Sequence, residues 1–161
     1  MQVYIFRHAK ADFGKKPHDD DPPLSKEGTL DAHSIVKLAA DNLGFRPNVI
    51  VSSPLLRAKQ TGEIASRDLG LKSEMVVDEC LYGDRSPAEV LEFLSHCKKT
   101  DGVVLVSHIP LIFELLHDLI GGRGEIELRN GSIACVEFKG NAAKGKGTLV
   151  WLVQPTSSRG V

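Results

Sequence analysis

Several things are scarce in this chain of 161 residues, and each scarcity removes a class of explanation. There are three cysteines, Cys80, Cys97 and Cys135. They are odd in number, far apart and without CxxC spacing, so neither a disulfide framework nor a thiolate metal site is indicated. Reduced and mostly buried thiols are expected. Charge of one sign is not in excess: 20 Lys and Arg stand against 21 Asp and Glu, for a formal net charge of −1. No broad field is therefore available to recruit nucleic acid or an anionic membrane, and any anion site must be local. Apolar runs of about 18 residues are missing, as is a basic and then apolar leader pattern at the start. A soluble, cytoplasmic protein is expected, with a monomer as the default because no exposed apolar seam stands out. There is no internal repeat and no linker long enough to divide domains. Residues 1–161 read as a single domain, long enough to bury about 70% of its unfolded surface.

What is present is a succession of short apolar strands alternating with amphipathic helices. Gln2-Val3-Tyr4-Ile5-Phe6 is a β-branched and aromatic run that stops at Arg7-His8. Residues 9–23 are polar and irregular and carry the acidic run Asp19-Asp20-Asp21 beside His18. Solvated loop carboxylates explain that run more simply than a metal site. Ser25 caps a helix whose apolar positions Ala32, Ile35, Val36, Ala39 and Leu43 recur at helical spacing, and Gly44 with Pro47 closes it.

Asn48 to Ser52 is a strand. Ser53-Pro54 then predicts an N-cap followed by proline at the first helical position, opening a helix to about Leu69. Arg57 falls in its first turn, where the positive end of the helix dipole disfavours a cation. An anion bound between that helix start and the Arg7-His8 strand end would give the free amides and the guanidinium a common partner.

Glu74 to Val77 reads as a strand leading into a turn at Asp78 to Asp84, and Ser86-Pro87-Ala88-Glu89 is a capping box. Gly102 to Ser107 is an unbroken apolar strand ending in His108. The next helix is expected to bury Ile109, Ile112, Phe113, Leu116 and Ile120, with Gly121-Gly122 as its stop. Ser132 to Lys139 and Gly147 to Val153 form an antiparallel hairpin at one sheet edge.

This order predicts an α/β fold: a three-layer α/β/α sandwich with a mostly parallel sheet and a C-terminal antiparallel hairpin. Three strands then end at one rim, where ligands collect in such sheets. They deliver Arg7-His8, Ser52-Ser53 followed by Arg57, and Ser107-His108. Two histidines and two arginines converging beside helix starts suit a tetrahedral oxyanion such as phosphate.

These same residues carry a resemblance. Arg7-His8-Ala9, Ser53-Pro54-Leu55-Leu56-Arg57-Ala58 with Gln60-Thr61, and Ser107-His108 resemble the histidine phosphatase superfamily, with its phosphoglycerate mutase-like fold. Pro23-Leu24-Ser25, Gly28, Ser107-His108-Ile109-Pro110-Leu111 and Ser132-Ile133-Ala134 look like its compact branch of phosphohistidine phosphatases. The resemblance covers essentially the whole chain. It implies that His8 is the nucleophile and becomes phosphorylated, with Arg7, Arg57 and His108 holding the phosphoryl oxygens. Chemistry makes compatible demands: a loose phosphoryl-transfer transition state needs in-line positioning and positive charge on the nonbridging oxygens. His8 must be neutral to attack, and its arginine neighbours lower its pKa, whereas His108 is more useful as a cation or hydrogen-bond donor. No cofactor or metal is called for.

Departures from the wider family are visible as well. Ala9 replaces the usual glycine, Pro22 stands where many relatives have a basic residue, and Gly14 where mutases carry an amide. Glu79 falls where mutases place their proton donor, with Asp12 and Asp84 as competitors for that role. Between Arg57 and His108 there is room for a strand and a helix but not for the inserted lid that encloses small substrates in mutases. The implied partner is therefore a phosphohistidine-bearing protein, a histidine phosphotransfer or phosphocarrier domain. Two other readings stay open: a small-molecule phosphomonoesterase of the same superfamily, and a module that binds phosphate or phosphohistidine without turnover.

Overall fold

The computed structural model describes residues 1–14, 20–97, 101–122 and 124–156. His18 and Asp19 of the acidic run lie outside them, as do Lys98 and Lys99. The elements in chain order are β1 Gln2–Arg7, α1 Lys26–Asn42, β2 Val49–Ser52, α2 Leu56–Asp68 and β3 Val76–Val77. A 3-10 turn at Glu79–Leu81 follows, then α3 Pro87–His96, β4 Gly102–Ser107, α4 Leu111–Ile120, β5 Ile133–Glu137 and β6 Thr148–Val153. They build one six-stranded sheet in the order β3-β2-β4-β1-β5-β6. The first four strands in that order are parallel, and β5 and β6 run antiparallel at one edge. The expected sandwich and its C-terminal hairpin are both present.

Strand alternation divides the interior. Val3, Ile5, Val103 and Leu105 face one side, where Val90 and Leu94 of α3 and Leu111, Ile112, Leu115 and Leu119 of α4 cover them. Tyr4, Phe6, Val104 and Val106 face the other side, against Ile35, Val36 and Ala39 of α1 and Ala58 and Ala65 of α2. Because β1 and β4 are covered on both faces, every residue of β4 is buried, as its unbroken apolar run requires.

Local signals act largely as the sequence suggests. The Ser25 hydroxyl accepts from Gly28 N–H at 2.9 Å, and both halves of the Ser86/Glu89 capping box form. Gly121 ends α4 in the left-handed conformation, φ 62°. Three expectations fail. α2 begins at Leu56 with Leu55 as its cap residue, so Ser53 is not the N-cap and Pro54 is not the first helical residue; the Ser53 side chain is engaged elsewhere. On α4, Ile109 and Phe113 are 47% and 37% exposed, whereas Leu111, Ile112, Leu115, Leu116 and Leu119 are buried. The helix starts only at Leu111, so Ile109 precedes it, and its inward stripe is Leu111, Ile112, Leu115, Leu116 and Leu119, with Phe113 outside that stripe and Ile120 only half-buried. β3 is also shorter than expected, two exposed residues at the sheet edge.

Among the described residues no helix is long and apolar enough to cross a membrane. The three cysteines are unpaired, and Cys135 alone is fully buried.

One glycine fixes the loop that follows β1. A Cβ on Gly28 would stand 2.1 Å from the Lys10 carbonyl oxygen, and this backbone cannot yield without moving the segment from His8 to Lys10. Gly28→Ala is expected to cost about 2–3 kcal/mol of stability, measured as a lower urea midpoint with an unchanged m-value.

Candidate active site

Parallel register creates the site. Arg7 pairs with Ser107 and Ser52 with Val106, so the residues just beyond these strand ends emerge side by side at the carboxyl rim. His8 N–H donates to the Ser107 carbonyl at 3.0 Å and Ser53 N–H to the Val106 carbonyl at 2.9 Å, extending the ladders by one step. The His8 and His108 rings lie with centroids 4.9 Å apart. Both are buried, at 8% and 5% exposure.

The His8 tautomer is determined by its partners. Nδ1 lies 2.7 Å from the Ala9 carbonyl oxygen, which only accepts, so Nδ1 carries the proton. The Arg57 Nε–H, which only donates, points to His8 Nε2 at 3.3 Å, so Nε2 holds the lone pair. Burial is the first cause that lowers the His8 pKa, to about 4; the Ala9 contact opposes it, and Arg57 and Arg7 add to the lowering. Both arginines lower it, as the sequence reading has it, with burial as the larger cause.

His108 Nε2 is 2.8 Å from the Ser53 hydroxyl. Its pKa is lowered to about 3, first by burial and then by His8, Arg57 and Arg7. Of the two expected roles, cation or hydrogen-bond donor, this lowering favours the neutral ring acting as a donor. Its Nδ1 is buried with no partner among the described residues, and so is Arg7 Nε. Arg7 Nη1 donates to the Leu128 carbonyl at 2.6 Å, and burial lowers the pKa of both guanidiniums, with Asp21 opposing this at Arg57.

Supporting contacts lock these groups together. Thr61 Oγ1 donates to the Arg57 carbonyl at 2.7 Å and accepts Ala9 N–H at 3.1 Å, joining helix α2 to the His8 loop. Asn130 Nδ2 donates to the His8 carbonyl at 3.2 Å. Ser107 Oγ donates to the Leu81 carbonyl at 2.5 Å, and a Cβ on Gly83 would come within 3.2 Å of His108 Cβ. The turn from Glu79 to Gly83 is therefore packed beside His108, with Glu79 itself exposed.

The start of α2 differs from its sequence reading. Leu56 N–H donates to Asp21 Oδ1 at 2.7 Å and Leu55 N–H to Ser53 Oγ at 3.4 Å. These two amides are held by the protein's own side chains rather than left for an anion.

The four residues His8, Arg7, Arg57 and His108 thus lie around one rim, and Glu79 stands on a turn beside it. In the sequence Ser53 reads as a helix cap and Asp21 as part of a solvated acidic run, and Asn130 has no assigned role. Ser53 was masked by its resemblance to a cap, and Asn130 and Asp21 act across distances that no local spacing records. Among the described residues no group of three or more His, Cys, Asp or Glu is placed to hold a metal ion.

A mostly parallel sandwich with this rim is the phosphoglycerate mutase-like architecture. The chain belongs to the histidine phosphatase superfamily (branch 1), whose family model matches residues 3–84. The phosphohistidine phosphatase SixA of Escherichia coli is 28% identical over 158 residues, spanning 96% of this chain and 94% of that protein. A solved structure of the protein histidine phosphatase SixA complexed with tungstate superposes with a TM-score of 0.84 at 27% identity, covering 96% of this chain and 97% of the other. A phosphoserine phosphatase from Entamoeba histolytica shares the fold, with a TM-score of 0.67 at 18% identity over 94% of this chain and 95% of that one.

The lowered histidine pKa values tie stability to pH. An unfolded chain protonates these rings near pH 6.5, the fold only near 4 and 3. On acidification the unfolded state takes up protons first, so the stabilisation is complete above about pH 6.5 and is lost as pH falls toward 4 and then 3. Urea unfolding between pH 7 and 4 should show a loss on the order of 2–3 kcal/mol for each ring. His108→Asn should flatten that slope.

Proposed function

We propose that the protein is a phosphohistidine phosphatase that removes phosphoryl groups from protein phosphohistidine through a covalent phospho-His8 intermediate. The observation that carries this reading is the pair of histidine rings 4.9 Å apart, with His8 Nε2 3.3 Å from the Arg57 Nε–H. A neutral imidazole nitrogen is a capable nucleophile. Attack by His8 Nε2 forms the new P–N bond as the bond to the leaving nitrogen breaks, and water then attacks phosphorus and frees inorganic phosphate. Arg7, Arg57 and His108 are assigned to the nonbridging oxygens, where preorganised donors have most effect. The unmatched Arg7 Nε and His108 Nδ1 leave hydrogen-bonding capacity on two of these groups. Glu79 is assigned as proton donor to the leaving group.

The protein-borne substrate is supported by the short connection between Arg57 and His108, whose described residues form the rest of α2, β3, the 3-10 turn, α3 and β4 and no lid domain. It is also supported by the likeness to SixA over nearly the whole chain. The fold neighbour that acts on phosphoserine keeps a second reading in view, a small-molecule phosphomonoesterase.

Three experiments test the proposal. Labelled substrate followed by an alkaline quench should leave acid-labile phosphate on the protein and none on His8→Ala. Arg7→Ala, Arg57→Ala and His108→Ala should each lower kcat by at least about 10²-fold, and a near-normal rate would remove that residue from the site. The substrate class is decided by comparing kcat/KM for a phosphohistidine carrier protein with that for a panel of small phosphomonoesters. A preference for the esters by orders of magnitude would replace the first reading with the second.

A further inference from the structure

The two histidines of the site need their ring hydrogens for opposite tasks, and only one of them has its hydrogen placed by the main chain. For the other, His108, the partner is a serine. Ser53 follows β2, is fully buried, and its Oγ lies 2.8 Å from His108 Nε2. The same oxygen accepts Leu55 N–H at 3.4 Å, which uses one lone pair and leaves the hydroxyl hydrogen to be placed. Among the described residues His108 Nε2 is the one acceptor with which that hydroxyl forms a hydrogen bond. Near neutral pH the ring carries a single hydrogen, since burial, followed by His8 and the arginines, lowers its pKa to about 3. If that hydrogen stood on Nε2 and pointed at Ser53, the buried hydroxyl hydrogen would be stranded. Nδ1, which is buried without a partner, would then hold a bare lone pair as well. The reverse arrangement leaves one unmatched group instead of two, and unmatched buried groups are costly.

We propose that Ser53 is a positioning residue: its hydroxyl donates to His108 Nε2 and so holds the ring in the tautomer whose hydrogen is on Nδ1, the nitrogen left to donate to a phosphoryl oxygen. This rests on the proposed phosphatase site and assigns the atom through which His108 serves it. A bare Nδ1 could not fill that role, because a lone pair and a phosphoryl oxygen are both acceptors. Ser53 itself need not touch the substrate. Its own backbone is fixed by the N–H bond to the Val106 carbonyl at 2.9 Å, one step beyond the β2 and β4 ladder, so the hydroxyl is presented from the sheet rather than from a mobile loop.

NMR of the imidazole nitrogens tests this without requiring turnover. In wild-type protein with nitrogen-15-labelled histidine near neutral pH, His108, assigned by its loss in His108→Asn, should show its hydrogen on Nδ1 and a bare Nε2. In Ser53→Ala the ring should no longer be held in that form. The kcat of this variant toward a phosphohistidine carrier protein should fall about 10- to 100-fold with KM within about threefold, as when a group that orients a functional histidine is lost. Ser53→Thr, which keeps the hydroxyl, should restore the Nδ1–H signal and most of the rate. A wild-type ring with its hydrogen on Nε2 overturns the inference whatever the variants do. So does a Ser53→Ala protein that keeps either the Nδ1–H form or its rate. Failure of the wild-type protein to release phosphate from the carrier would instead overturn the proposed function. The tautomer is read without turnover, so it would still decide whether Ser53 sets the His108 hydrogen.

Discussion

The parallel pairing of β1 with β4 is the constraint on which the site depends. Neighbouring strands lie roughly 4.8 Å apart, and the Arg7–Ser107 register carries each chain one residue further to a histidine. The ring separation of 4.9 Å is thus close to the sheet's own spacing. Such register is costly to shift, because a slip by one residue would turn Val3 and Ile5 toward α1 and α2 and Tyr4 and Phe6 toward α3 and α4. The two cores on either side of the sheet therefore hold the imidazoles in place, although none of their side chains needs to touch a substrate.

Around that pair the protein withdraws water and keeps the rings neutral. Burial, more than the adjacent guanidiniums, is the first cause of both lowered pKa values. A basic environment is thereby built without charging the histidines, and the arginines remain as the cations of the site. Thr61, through Ala9 N–H, and Asn130, through the His8 carbonyl, then tie the backbone around His8 to α2 and to the loop before β5. The geometry rests on backbone anchors from several elements rather than on any one loop.

Much of this was legible in the sequence because the strongest signals are local. The apolar run from Gly102 to Ser107, the Ser86/Glu89 capping box and the glycine stop after Ile120 need only neighbouring residues, and they emerge as read. Ser53-Pro54 has the local form of a helix start, but a tertiary partner, His108, takes the serine hydroxyl. Ile109 and Phe113 fit one of two overlapping apolar stripes, and packing against the sheet selects the other, Leu111, Ile112, Leu115, Leu116 and Leu119. The convergence of His8, Arg57 and His108 followed from strand order. The burial that neutralises His108 did not, since it depends on the packing of the turn from Leu81 to Gly83 against its strand.

The contact between His8 Nδ1 and the Ala9 carbonyl has a further consequence for the chemistry proposed. A phosphoryl group accepted by this ring would sit on the remote, or tele, nitrogen while the near nitrogen kept its hydrogen. The phosphorylated ring would then be a cation, and its hydrolysis would expel a neutral imidazole. One main-chain oxygen would so prepare the departure as well as the attack, and the second half of the cycle would need no separate acid for His8.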